Sequence, residues 1–149
     1  MAGKTTSGAR TRARELMLQA LYQKQIAGHD CVELKKQFRE QTAYQRVDQE
    51  FFEETFTEIC KRQEELEASI SGLIDRPLEQ LDPVELGILL IGVFELQHRI
   101  DIPYRVVINE GINLAKRFAS IDGHKYINGC LDKAAQTLRE PEVQAKGSG

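Results

Sequence analysis

Apolar residues return every three or four positions along most of this chain, the period of an α-helix with one buried face. Ala13, Leu16, Met17, Ala20 and Leu21 fall at i, i+3, i+4, i+7 and i+8. They predict a first helix over about residues 9–27, and Gly28 suits its C-terminal stop. A second helix, shorter and more polar, is predicted over about 32–43. A long third helix follows over about 48–74, with Phe52, Phe56, Ile59, Leu66 and Ile70 on one side and a glutamate-rich, solvated face on the other. The fourth helix has the clearest start. Asp82 stands as N-cap, Pro83 suits the first helical position, and Glu85 sits where a capping box needs its carboxylate. From Val84 to Leu96 the apolar residues are dense enough for burial on more than one side. Ile102-Pro103 breaks the chain before a fifth helix over 104–118, and a last helix is predicted over 122–138.

No segment reads as a strand, so the predicted fold class is all-α. The breaks at Arg76-Pro77 and Ile102-Pro103 fit two helical subdomains, about 10–76 and 77–139, packed into one domain over 10–139. Residues 1–9 read as a disordered basic tail and residues 140–149 as a flexible one.

The chain has 149 residues, 41% of them hydrophobic and 29% charged, the balance of an ordinary globular domain able to bury a core. A net charge of −3 argues against a general DNA-coating protein. The charge is uneven. Residues 1–14 hold Lys4, Arg10, Arg12 and Arg14 with no acid, leaving 16 of the 20 basic groups against all 23 acidic ones. A basic arm on an acidic body points to local phosphate contacts. Cys31, Cys60 and Cys130 are odd in number and show no C-x-x-C spacing. The expectation is therefore no disulfide framework and a reducing, cytoplasmic setting. No apolar run approaches the roughly 20 residues of a bilayer span, and no secretory leader is visible.

Three features suggest binding. Arginine donates two parallel hydrogen bonds to phosphate and keeps its charge, so Arg10, Arg12 and Arg14 can hold phosphates. Against this, basic N-termini are common, although cations at a helix N-terminus oppose the macrodipole. The start of the last helix offers free backbone N–H groups, with Lys125 as a charge and Tyr126 as a stacking surface for an unpaired base. The plainer reading makes Asp122 an N-cap, Lys125 a solvated residue, and Tyr126 and the upstream Phe118 parts of the core. Finally, Leu18, Tyr22 and Ile26 form a second apolar stripe on the first helix, either buried or offered to a partner. His29, His98 and His124 are scattered, so no metal site is expected. No nucleotide-binding glycine loop, no hydrolase motif and no shielded carboxylate pair is present. The chain reads as a binding protein without cofactors, not an enzyme.

Several motifs then occur together in order: Arg12-Ala13-Arg14-Glu15 with Gln19-Ala20-Leu21-Tyr22; Pro103-Tyr104-Arg105-Val106-Val107-Ile108-Asn109-Glu110; Leu114-Ala115-Lys116; and His124-Lys125 through Asn128-Gly129, Leu131, Asp132 and Lys133. Over about residues 10–138 the chain resembles the NusB family. The resemblance implies two three-helix bundles, no enzyme activity and no cofactor. It implies binding of boxA RNA together with ribosomal protein S10 (NusE), within the antitermination complex that keeps RNA polymerase elongating through ribosomal RNA operons. It carries RNA contact to Arg10, Arg12, Arg14, Phe118, Asp122, Lys125 and Tyr126. It carries the NusE-facing surface to Tyr22 and Glu85, with Leu18 and Ile26 of the second stripe alongside. Thr11 interrupts what is an unbroken arginine run in some relatives. Tyr126 stands where relatives can carry Phe. The free protein is open to being a monomer or a homodimer. Two rivals stand beside this reading: a helical adaptor without RNA binding, and the NusB-like module of an RNA methyltransferase, for which a following domain would be expected.

Overall fold

The structure, a computed structural model, describes residues 7–147, and every regular element among them is helical. The chain divides into two units, the first ending at Arg62 and the second beginning at Gln63.

The first unit holds α1 (Ser7–Ala27), α2 (Cys31–Arg39), a 3-10 turn (Thr42–Arg46) and α3 (Gln49–Lys61). α1 packs on α2, α3 and the 3-10 turn. Gly28, at φ 70°, ends α1 in the left-handed region that favours glycine. The core is aromatic. Phe52 stacks on Phe56 with ring centroids 5.8 Å apart and meets the edge of Tyr44 at the same distance, with Phe38 at 6.5 Å. Met17, Leu21, Leu34 and Ile59 complete it, all fully buried.

The long third helix expected over 48–74 is two helices, α3 and α4 (Gln63–Ser71). The apolar stripe keeps its phase from Ile59 to Leu66, but the turn between them offers only Arg62 and Gln63. With no apolar side chain to bury there, Arg62 leaves the helix and its N–H bonds to Glu58 O and Ile59 O. This break, not Arg76-Pro77, is where the two units divide.

The second unit adds a 3-10 turn (Leu78–Gln80), α5 (Pro83–His98), α6 (Tyr104–Phe118), α7 (Ile121–Leu138) and α8 (Glu140–Gly147). α5 is its centre, buried continuously from Leu86 to Leu96, as the dense apolar run predicts. Its start is the expected one: Asp82 caps the helix, its Oδ1 accepting from Val84 N at 2.7 Å. α5, α6 and α7 pack on one another, and Leu131 fits where Gly92 of α5 and Gly111 of α6 leave room. A Cβ on either glycine would stand 2.7 or 2.5 Å from the Leu131 methyls.

The expected tail is partly structured, because Arg139 and Glu142 are engaged. Arg139, buried, donates to the carbonyls of Leu96, Glu95 and Arg99 at the end of α5, and to Glu142 at 2.7 Å. The other Glu142 oxygen accepts from Tyr104 N at the start of α6. These bonds satisfy backbone groups that a helix end leaves open. At the other end, α1 begins at Ser7; residues 1–6 with Lys4 lie outside the described residues, as do 148–149.

The cysteine reading is corrected. Cys31 and Cys60 form a disulfide inside the first unit, joining the start of α2 to α3 across a sequence separation of 29. No local spacing announces it, because the packing of α2 on α3 creates the pairing. Cys130 is free and buried.

Candidate nucleic-acid interface

In the first unit the arginine arm is organised by Asp48. This residue caps α3 through Oδ1, which accepts from Phe51 N at 3.1 Å. Its Oδ2 accepts from Arg10 Nε at 3.2 Å, and its N–H donates to Ala9 O at 3.0 Å. The first turn of α1 is thereby tied to the first turn of α3. The three arginines, alike in sequence, differ in place. Arg12 is exposed and donates Nε to the carbonyl of Arg46 at 3.1 Å. Arg10 is half-buried, with its guanidinium 4.7 Å from the Phe51 ring centroid. Arg14 is only 3% exposed, at 4.9 Å from the same ring. Expected as a phosphate ligand, Arg14 is instead packed inside, held against an aromatic face. Arg46, exposed and beside Arg12, belongs to the cationic surface, and nothing in the sequence near the arm pointed to it.

The second apolar stripe also splits. Leu18, at 3% exposure, is core and leaves the candidate partner surface. Tyr22 and Ile26 are 42% and 60% exposed and remain.

In the second unit, α7 is capped by Ser120, whose Oγ accepts from Gly123 N at 3.1 Å. The cap is thus two residues earlier than Asp122, which sits exposed in the first turn, where a carboxylate complements the dipole. Asp122, Lys125 and Tyr126 fall at i, i+3 and i+4 and share a face. Lys125 is exposed, and Phe118, just before the cap, is 37% exposed beneath the Arg117 guanidinium at 5.4 Å.

Tyr126 is half-buried and already engaged. Its hydroxyl donates to Asp75 Oδ1 at 3.1 Å, and Arg76 lies over its ring at 4.4 Å. Burial raises the Tyr126 pKa, while hydrogen bonds from Arg76 and then Tyr126 lower that of Asp75. The outward plane at this place is therefore the Arg76 guanidinium, which the sequence reading did not select. Arg76 lies 50 positions from Tyr126 in the chain, and only the fold joins them. Glu85 is half-buried with its pKa raised by burial and then by Asp82. Its Oε2 lies 2.9 Å from where a Cβ on Gly123 would stand, so Glu85 sits beside the start of α7. Among the described residues no cluster of His, Cys, Asp or Glu could hold a metal ion, and no helix is long and apolar enough to cross a membrane.

Comparison with known proteins adds a lineage to this geometry. A family model described as NusB family matches residues 11–136. A transcription antitermination protein NusB from Pseudomonas syringae pv. tomato is 48% identical over 95% of this chain and 86% of its own length. The protein of the same name from Paraburkholderia xenovorans is 46% identical over 92% of this chain and 95% of its own. A solved structure of Thermotoga maritima NusB superposes with a TM-score of 0.78 at 28% identity, covering 90% of this chain and 93% of that one.

Proposed function

The chain belongs to the NusB family, and on that footing we propose that it is a transcription antitermination factor, a non-enzymatic binding protein of the cytoplasm. It binds boxA RNA of ribosomal RNA operons together with ribosomal protein S10 (NusE), within the complex that keeps RNA polymerase elongating. The observation that carries RNA binding is the start of α7, where Lys125 and Phe118 are exposed and the Arg76 guanidinium lies over the Tyr126 ring. A planar cation and an aromatic edge are the groups that hold unpaired bases. Arg10 and Arg12, with Arg46, neutralise phosphates in the first unit, and Arg14 holds the arm from inside. Asp122 complements the helix dipole and tempers the affinity of that surface. Exposed Tyr22 and Ile26, and separately Glu85, face NusE. Two weakly basic surfaces that act together gain affinity through effective concentration.

The test is fluorescence anisotropy of labelled boxA RNA and a scrambled control, titrated with the protein alone and with NusE. Preference for boxA that tightens with NusE is expected. Arg12→Ala should reduce the salt slope of log K by about one phosphate contact. Arg14→Ala should act first on thermal stability. Tyr22→Asp should abolish NusE binding with helical circular dichroism unchanged. No preference for boxA in either condition, with NusE still bound, would leave a helical adaptor and sink the RNA reading.

A further inference from the structure

Two sequence motifs, 103–110 and 128–133, are hardly used by the function proposed above. Within the second unit they face each other. α6 and α7 are consecutive, joined by residues 119–120, and between them lies an open groove of about 300 Å3. Tyr104 and Ile108, both buried, and half-buried Ile112 form its floor. Arg105, Asn109, Asn128 and Asp132, all exposed, form its rim. Among the described residues, neither the Asn109 nor the Asn128 carboxamide has a protein hydrogen-bond partner.

The groove continues toward the start of α7. Lys125 precedes Asn128 by three positions and shares its face, one turn nearer the N-terminus. Lys116 follows Ile112 by four positions and shares that face of α6. Both lysines are exposed.

We infer that this groove takes one unstacked nucleobase of single-stranded RNA, with the neighbouring phosphates running toward Lys116 and Lys125. The inference rests on the RNA-binding reading above and extends it by a second contact. A base has apolar faces and a polar edge, and the groove has an apolar floor and a polar rim. A carboxamide presents a donor and an acceptor side by side, the pattern that pairs with a base edge. Asp132 accepts from an exocyclic amine or a ribose hydroxyl, and Arg105 meets a phosphate. A peptide fits less well. An acidic one opposes Asp132, and a basic one opposes Arg105 and both lysines, whereas a neutral base opposes none of them.

The test compares wild type with Asn109→Ala/Asn128→Ala, using labelled boxA RNA and NusE, with single abasic substitutions scanned along the RNA. Both residues are exposed, so helical circular dichroism should not change. The double variant should bind about tenfold more weakly, with an unchanged salt slope because no charge is lost. At one RNA position the abasic substitution should weaken wild type by a similar factor and leave the variant no weaker. Equal RNA binding by variant and wild type overturns the inference, as does a loss that is additive with every abasic position. Loss of NusE binding with RNA binding intact assigns the groove to protein and also overturns it. A wild type that binds no RNA at all is read from its own titration, and fells the antitermination reading together with this one.

Discussion

Glu53 serves two partners at once. Its carboxylate accepts from Arg39 Nε and Nη2 at 2.8 and 2.7 Å and from the Tyr44 hydroxyl at 2.7 Å. The Arg39 hydrogen bond, ahead of the opposing desolvation, holds the Glu53 pKa below its usual range. Burial first, then the bond to Glu53, pushes Tyr44 up to about 12. The two shifts act at opposite ends of the pH scale. A depressed carboxyl stabilises the fold above its unfolded pKa and loses that contribution as pH falls through the folded one. A raised phenol stabilises below its unfolded pKa, and the contribution disappears as pH rises from about 10 to about 12. In a titration followed by phenolate absorbance, Tyr44 should give a step near pH 12, and Tyr44→Phe should delete that step. Persistence of the step in the variant would assign it elsewhere. The same scale shows what the spacing of residues already held. Arg14 precedes Met17 and Leu18 by three and four positions, and both are core. Its burial was thus legible in the helical period, as was that of Leu18. Charge counting masked the first and stripe counting the second. Arg46 and Arg76 were not legible, because each reaches its place through a long-range contact.

Helices were the most legible level, and their joints the least. Capping chemistry placed the start of α5 at Asp82, and the density of apolar residues announced its burial. Periodicity read straight through Arg62 because Ile59 and Leu66 are two turns apart and stay in phase. The missing apolar residue between them was the only local sign of the break. Packing detail was likewise out of reach. Nothing in the helical pattern marks Gly92 and Gly111 as the places where α5 and α6 leave room for Leu131. Adding a methyl to a filled core costs about 1–3 kcal/mol, of which alanine's better helix propensity returns about 1 kcal/mol. Gly111→Ala should therefore lower unfolding stability by up to about 2 kcal/mol in denaturant titrations. Leu131→Val, which draws the offending methyls back, should cost less in the Gly111→Ala background than in wild type. Strict additivity of the two changes would show that the contact relaxes without strain.

At the scale of the molecule, the all-α class and the family were legible, since they rest on long periodic segments and on motifs taken jointly. The unit boundary, the disulfide and α8 were not, because each depends on which helices meet. The Cys31–Cys60 bond lies wholly within the first unit and closes a loop across 29 positions. On chain-entropy grounds such a link stabilises by about 3–4 kcal/mol. Denaturant unfolding with and without a thiol reductant should differ by an amount of that order, and Cys31→Ser/Cys60→Ser should erase the difference. Superimposed curves for the unmodified protein would mean that the bond contributes nothing in solution.

The contacts of Arg139 and Glu142 also have a consequence for the order of synthesis. The contacts internal to the first unit all join residues before Gln63, so they can form while the ribosome is still making the rest. The second cannot finish in the same stepwise way. The carbonyls ending α5 and the N–H opening α6 wait for side chains at 139 and 142, the last part of that unit to emerge. Nascent α5, the most apolar of the described helices, must therefore persist without its final caps through the translation of some forty further codons. Apolar surface left exposed over that interval favours aggregation, which a chaperone would suppress.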